Sequence, residues 1–202
     1  TIGIGLGSPL FKYTYVSGGL VNLRSDGGGK NKSATQFSIN SIWGSPRHLM
    51  MTGIDTVAST LNRLGIYQHI PLCIDEITNL KPDVLSKLVY SVSQGEGPNR
   101  MKGTENEERI NDATWNSAVI TSANSDFEGM LSATKATPEG ELSRMLQIEM
   151  TSNNLSDAVN GELVTTLIEN HGVAASKHVP WLISHPDEAR DIVTDFISRI
   201  RK

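Results

Sequence analysis

Residues 26–34 read DGGGKNKSA: three glycines and two lysines directly ahead of an apolar-periodic run. A loop of this kind, placed before a helix, can turn backbone amides toward a phosphate. A flexible turn has the same composition. The usual spelling of a phosphate loop, G-x-x-x-x-G-K-[ST], does not fit. Read back from Lys32 and Ser33, its glycine positions hold Asp26 and Asn31; read back from Lys30, they hold Arg24 and Gly29, and Asn31 replaces the hydroxyl residue. The loop by itself leaves open which lysine serves it.

Working outward, GLVNLR (19–24) reads as a strand that runs into the loop, and KSATQFSINSIWG (32–44) as a helix stopped by Gly44. RHLMMTG (47–53) reads as a second strand, and DTVASTLNRLGIY (55–67) as a helix capped by Asp55. IPLCIDE (70–76) has the apolar run of a buried parallel strand, ending in two carboxylates. KPDVLSKLVYSVSQG (81–95) reads as a helix with Pro82 in its first turn and Gly95 at its end. A polar stretch over 94–113 leads to a strand TWNSAVITSAN (114–124), a helix over 126–135 and a strand LSRMLQIEM (142–150). Residues 156–202 carry three helical patterns, broken near Gly172 and at Pro180 and Pro186.

Strands alternating with helices predict a three-layer α/β/α fold with a mostly parallel five-stranded sheet and a small helical C-terminal section. The boundary is expected near 152, giving a core over 1–152 and helices over 153–202. The length of 202 residues suits one domain with such an appendage. Cys73 is the single cysteine, so no internal disulfide framework exists and a reducing, cytoplasmic compartment is expected. No apolar run approaches the roughly 18 residues of a membrane span. A net charge of −4 gives no global pull on nucleic acid, so any such contact needs a local basic patch. The chain opens on TIGIGLGSPL without a methionine and reads as a fragment of a longer protein.

PLCIDE (71–76) has the form of a Walker B strand, with Asp75 placed to hold a magnesium shell and Glu76 to polarise water. The same pair would also suit a solvated strand end. TSAN ends a later strand and leaves Asn124 at the same carboxyl edge, where a polar side chain can position water beside a terminal phosphate. Lys32 and Asp75 are 43 residues apart, room for a helix, a strand and a second helix. Loop, acidic pair and polar tip follow the order found in P-loop ATPases of the additional-strand type. The histidines show no zinc spacing, and Trp43, Trp115 and Trp181 read as packing residues.

NKSATQFSINSIWGSP, IPLCIDEITNLKPDVLSKLVYSVSQGEGPNRMKG, WNSAVITSAN and ELSRMLQIEM resemble the P-loop domain of the DUF927 family and its phage relatives, over about 20–185. Those relatives include phage primase–helicase and replicative ATPase components. The family's loop lysine precedes the tryptophan of S-I-W-G by eleven residues, and counting back from Trp43 lands on Lys32. The resemblance implies an ATP site formed by Gly27, Gly28, Gly29, Lys30, Asn31, Lys32, Ser33 and Ala34. It places Ser33 and Asp75 on Mg2+, with Glu76 and Asn124 at the γ-phosphate. Arg144 matches the family arginine that opens the last strand, an arginine finger or sensor, with Arg100 as the alternative. Arg100, Lys102 and Arg109 lie where related ring helicases track a nucleic-acid backbone, although Glu105, Glu107 and Glu108 dilute that patch.

The function implied is an ATP-hydrolysing motor of a phage-type replicative helicase or primase–helicase. It would work on DNA, single-stranded in the first instance, as a homo-oligomeric ring such as a hexamer, with no membrane partner. A DNA-packaging or remodelling ATPase would use the same site. A degenerate P-loop domain with an assembly role is the non-enzymatic alternative, because Asp26 and Asn31 replace glycines. Asn31 tolerates positive φ and can keep the turn. Asp26 repels a triphosphate unless Arg24 or Lys30 neutralises it or it points outward.

Overall fold

A computed structural model describes residues 2–26, 31–101, 108–109, 113–151 and 156–200. The chain begins with α1 (Ile2–Gly7) and a 3-10 turn (Ser8–Tyr13), then enters β1 (Gly18–Arg24) and α2 (Lys32–Trp43). Next come α3 (Pro46–Leu49), β2 (Met50–Thr52), α4 (Val57–Tyr67), β3 (Leu72–Asp75) and α5 (Pro82–Gln94). A short hairpin, β4 (Arg100–Met101) and β5 (Glu108–Arg109), precedes β6 (Ser117–Ala123), α6 (Phe127–Thr134), α7 (Glu139–Leu142) and β7 (Met145–Glu149). Three helices close the chain: α8 (Asp157–Glu169), α9 (Ala175–Ser184) and α10 (Pro186–Ile200).

The main sheet has five strands in the order β2-β3-β6-β1-β7, and every pairing in it is parallel. Parallel strands need both faces covered, and alternation along each strand sorts side chains between two cores. Leu20, Met51, Leu72, Ile74 and Val119 face a core completed by Leu61 and Leu64 of α4, Leu85 and Val89 of α5, and Phe127 and Leu131 of α6. Leu23, Cys73, Ala118 and Ile120 face the other way, against Ile39 of α2 with Ile4 and Phe11 of the N-terminal segment. The expected three-layer α/β architecture is therefore present. β6 lies between β1 and β3, so the loop strand and the acidic strand are separated by one inserted strand.

Helix α2 meets the sheet through polar as well as apolar groups. Lys32, Gln36 and Asn40, spaced by four, are all buried on it. The Gln36 amide Nε2 donates to Ile74 O at 2.9 Å and Ile120 O at 3.2 Å, joining α2 to β3 and β6 together. α1 packs so closely on α2 that a Cβ on Gly5 would lie 2.6 Å from Ile42 Cδ1. The C-terminal helices return to the same side: Gly172 N donates to Ser41 O at 2.7 Å, and His178 Nε2 donates to Leu6 O at 3.0 Å. α10 buries Ala189 and Val193 and lies on the 3-10 turn, where Arg190 sits over the Tyr13 ring.

Several local expectations change. Residues 47–53 are mostly not strand: Pro46 at a first helical position starts α3, and only Met50–Thr52 pairs with β3. Thr56, not Asp55, caps α4, accepting from Ser59 N at 3.1 Å, while Asp55 closes the preceding turn by accepting from Thr52 N at 3.0 Å. Pro180 lies inside α9 and does not break it. The stretch 94–113 contains the β4–β5 hairpin, with Arg100 opposite Arg109 in register.

One carboxylate is buried away from the sheet edge discussed below. Glu141 is 1% exposed and is bonded by Lys135, by Ser86 Oγ at 2.6 Å and by Tyr90 OH at 3.5 Å. Hydrogen bonds from Lys135 and then Ser86 hold its carboxyl down at about 2, against an ordinary 4.5. A depressed folded-state value means stability that is present above pH 4.5 and lost as pH falls toward 2. Glu141→Gln is expected to lower the thermal midpoint at pH 7 and to flatten its decline across that acid window, as scanning calorimetry at several pH values would show.

Candidate functional site

Because all five strands run in one direction, their carboxyl ends share one edge of the sheet. There Arg24 stands beside Ala123, and Thr52 beside Asp75. Crevices at such an edge, where strand order reverses, are where open α/β sheets bind ligands. Lys32, Ser33, Asp75, Glu76 and Asn124 all converge on this edge. The first helical bond of α2 runs from Thr35 N to Asn31 O at 2.9 Å, so the amides of Lys32, Ser33 and Ala34 precede the hydrogen-bond ladder.

Lys32 is 9% exposed and reaches back across the edge. Its Nζ donates to Ser25 Oγ at 2.7 Å, to Ala123 O at 3.1 Å and to Asn124 Oδ1. Desolvation lowers its pKa, and the negative charges of Glu76 and Asp75 oppose that shift. The ammonium is thus fully bonded, partly dehydrated and flanked by two carboxylates. A phosphate arriving here would exchange with acceptors that already direct the lysine.

Asp75 accepts from Ser122 Oγ at 2.5 Å, and the Ser33 hydroxyl faces it with oxygens 3.3 and 3.4 Å away. Ser33 and Asp75 together form an oxygen-only pair, the donor chemistry that magnesium prefers. Ser122 Oγ also accepts Glu76 N at 2.8 Å, so one buried hydroxyl orients both acidic residues. Glu76 sits at φ +56, a left-handed conformation costly for a side chain with a Cβ. Its carbonyl occupies the space beside Gly53, where a Cβ would come within 2.0 Å of Glu76 O. The Glu76 carboxylate accepts from Thr78 Oγ1, and Asn124 N donates to the same hydroxyl at 2.9 Å.

The two altered glycine positions have physical answers. Asn31 adopts φ 60, ψ 20, so the left-handed turn ahead of α2 survives without glycine. Asp26 is 73% exposed and pairs with Arg24 NH2 at 2.8 Å, so its charge is met by the strand before it. Gly27, Gly28, Gly29 and Lys30 lie outside the described residues, as does Lys102. Ala34 is buried on α2.

Arg144 is exposed and opens β7 at the amino edge of the sheet, its carbonyl accepting from Leu20 N at 3.1 Å. Its guanidinium bonds Gly140 O and lies over the Tyr90 ring, 5.0 Å from the centroid. Its contacts among the described residues do not include the carboxyl-edge cluster. The β4–β5 hairpin joins the same amino edge through Trp115, whose N–H donates to Gly95 O at 2.8 Å and whose ring Nε1 donates to Val92 O at 2.9 Å. No group of three or more metal-ligating His, Cys, Asp or Glu side chains occurs among the described residues.

Ser25, Thr78 and Ser122 escaped the sequence reading. The sequence shows only that Thr78 follows the acidic pair by two and that Ser122 is a hydroxyl within an apolar strand pattern, not which atoms either one joins. Ser122→Ala would leave Glu76 N without its acceptor and Asp75 without the shorter of its two hydroxyl donors. It is expected to cost about 1–3 kcal/mol of stability, measured by denaturant unfolding. Asn22→Ala, remote from Asp75, serves as the matched buried-polar control.

A family model described as "Domain of unknown function (DUF927)" matches residues 2–111. No curated protein matches the chain. Among solved structures, one described as "SCCmec type IV Cch - active helicase" aligns with a TM-score of 0.67 at 17% identity, covering 94% of this chain and 35% of that one. The chain therefore spans about a third of that helicase's length, and the likeness shows a shared α/β fold. NtrX from Brucella abortus in complex with ATP aligns at a TM-score of 0.38 and 12% identity, covering 81% of this chain and 39% of that one, too low to add to the fold argument. With more than half of its residues inside the family match, the chain belongs to the DUF927 family.

Proposed function

We propose that this chain is the ATP-hydrolysing core of a replicative helicase or primase–helicase of the phage type. The observation that carries the proposal is the single cluster formed by Lys32, Ser33, Asp75, Glu76 and Asn124 at the carboxyl edge. In this reading Lys32 and the first amides of α2 bind the phosphate tail. Ser33 and Asp75 hold Mg2+, which when bound neutralises charge on the phosphate oxygens. Glu76 orients and polarises the attacking water, and Asn124, already bonded to Lys32, lies beside the terminal phosphate. Asn31 and the Arg24–Asp26 pair favour a working loop over a silenced one.

Among the described residues Arg144 contacts Gly140 O, Ser143 and the Tyr90 ring and not the Lys32 cluster, so its proposed role is across an interface in a homo-oligomeric ring. The stretch 100–109 carries Arg100, Lys102 and Arg109, the proposed nucleic-acid contact of a chain whose overall charge is negative.

ATP turnover by the purified protein, with and without single-stranded DNA, tests the reading. Glu76→Gln is expected to reduce kcat by about 100-fold or more while nucleotide still binds. EDTA should abolish turnover and added Mg2+ restore it. Absence of both turnover and nucleotide binding in the wild type would leave only an assembly role. Mixing Lys32→Ala with Arg144→Ala chains should recover part of the activity each lacks alone, since a mixed interface pairs an intact lysine with an intact arginine. Failure of the mixture to recover would remove Arg144 from the trans position.

A further inference from the structure

We infer that Thr78 is a positioning residue which locks the Glu76 carboxylate to the tip of β6, so that Glu76 and Asn124 move as one unit. The inference deepens the ATPase reading and rests on it for its kinetic arm.

The argument starts from the turn after β3. Glu76 is in a left-handed conformation, and the next residues run alongside the end of β6 instead of leaving the sheet. Ile77 N donates to Ser122 O at 2.9 Å, and Ser125 Oγ donates to Thr78 O at 2.7 Å. Between these two ties sits the Thr78 hydroxyl. It donates its one proton to Glu76 Oε1 and accepts the backbone N–H of Asn124 at 2.9 Å. A hydroxyl has one proton to give, so the direction of both bonds is fixed: the carboxylate can only accept and the amide can only donate.

Glu76 is itself exposed, and an exposed carboxylate on a free side chain samples several rotamers. The Thr78 hydroxyl removes that freedom, and Thr78 is β-branched and half-buried, with a restricted χ1 of its own. The Asn124 side chain is meanwhile held by Lys32. One hydroxyl therefore connects the group proposed to polarise water with the backbone of the residue that contacts the phosphate-binding lysine. Misplacement of a reacting group by an ångström can cost two orders of magnitude in rate without weakening substrate binding.

Two substitutions test this. Thr78→Val keeps the shape and removes the hydroxyl; Thr78→Ser keeps the hydroxyl. Valine is expected to lower kcat for ATP by roughly 10-fold or more with KM within about two-fold, and serine to return most of the rate. A structural defect alone would not be rescued by serine with an unchanged KM. An unchanged or faster kcat in Thr78→Val overturns the inference, the faster result marking the bond as a brake.

A second measurement does not depend on turnover. The Asn124 amide resonance in nuclear magnetic resonance should shift on Glu76→Gln in the wild-type background and stay still in the Thr78→Val background. An Asn124 amide indifferent to Glu76→Gln, or equally responsive in both backgrounds, sinks the coupling. If the wild type hydrolyses nothing, the ATPase reading fails, and this amide experiment still decides whether Thr78 joins the two groups.

Discussion

The Lys32 ammonium has three protons, and three acceptors from two separate strand ends take them. Ser25 follows β1, while Ala123 and Asn124 end β6, so one cation fastens the first turn of α2 to two strand tips. Burial makes that charge costly, and the neighbouring Asp75 and Glu76 make it tolerable. The remaining geometry follows from where this charge sits. The carboxylates stay close because a partly dehydrated cation faces them, and the β6 tip is held against α2 because its carbonyl and side chain are among the acceptors. Such an arrangement is prepared for an anion before one arrives, which lowers the reorganisation that binding requires.

The fold was largely legible in the sequence because it is written in long-range alternation. Apolar runs at 19–24, 70–76 and 114–124 are strands flanked by helical periods, and no local detail had to be right for the architecture to emerge. Boundaries failed where short-range chemistry competed. Pro46 drew 46–49 into a helical turn that the apolar Leu49-Met50-Met51 pattern had hidden. Pro180 sits within α9, where the rule that proline ends a helix did not hold. The helix α1 was missed because IGIGLG has poor intrinsic propensity; it is held instead by its tight fit on α2, a tertiary cause that a local reading does not contain.

The candidate site was legible in its charged members and in Ser33 and Asn124, but not in the hydroxyls that join them. Lysine and carboxylates at the ends of strands attract notice because their types carry obvious chemistry. Ser122 and Thr78 are ordinary hydroxyls whose importance lies entirely in which atoms they join, and those atoms come from segments about 46 residues apart. The strained backbone of Glu76 and the bare α-carbon of Gly53 belong to the same class. Neither residue type announces that the loop after β2 must be empty so that the acidic turn after β3 can fold over it.

Strand β6 runs between parallel neighbours with all seven of its residues buried. At about 3.3 Å per residue it is a stiff rod of roughly 20 Å. Its carboxyl end carries the Lys32 acceptors, and just ahead of its amino end Trp115 ties down the root of the β4–β5 hairpin. Laddered on both sides, it is a spacer of fixed length that holds the Lys32 acceptors at one edge of the sheet and the Trp115 anchor at the other.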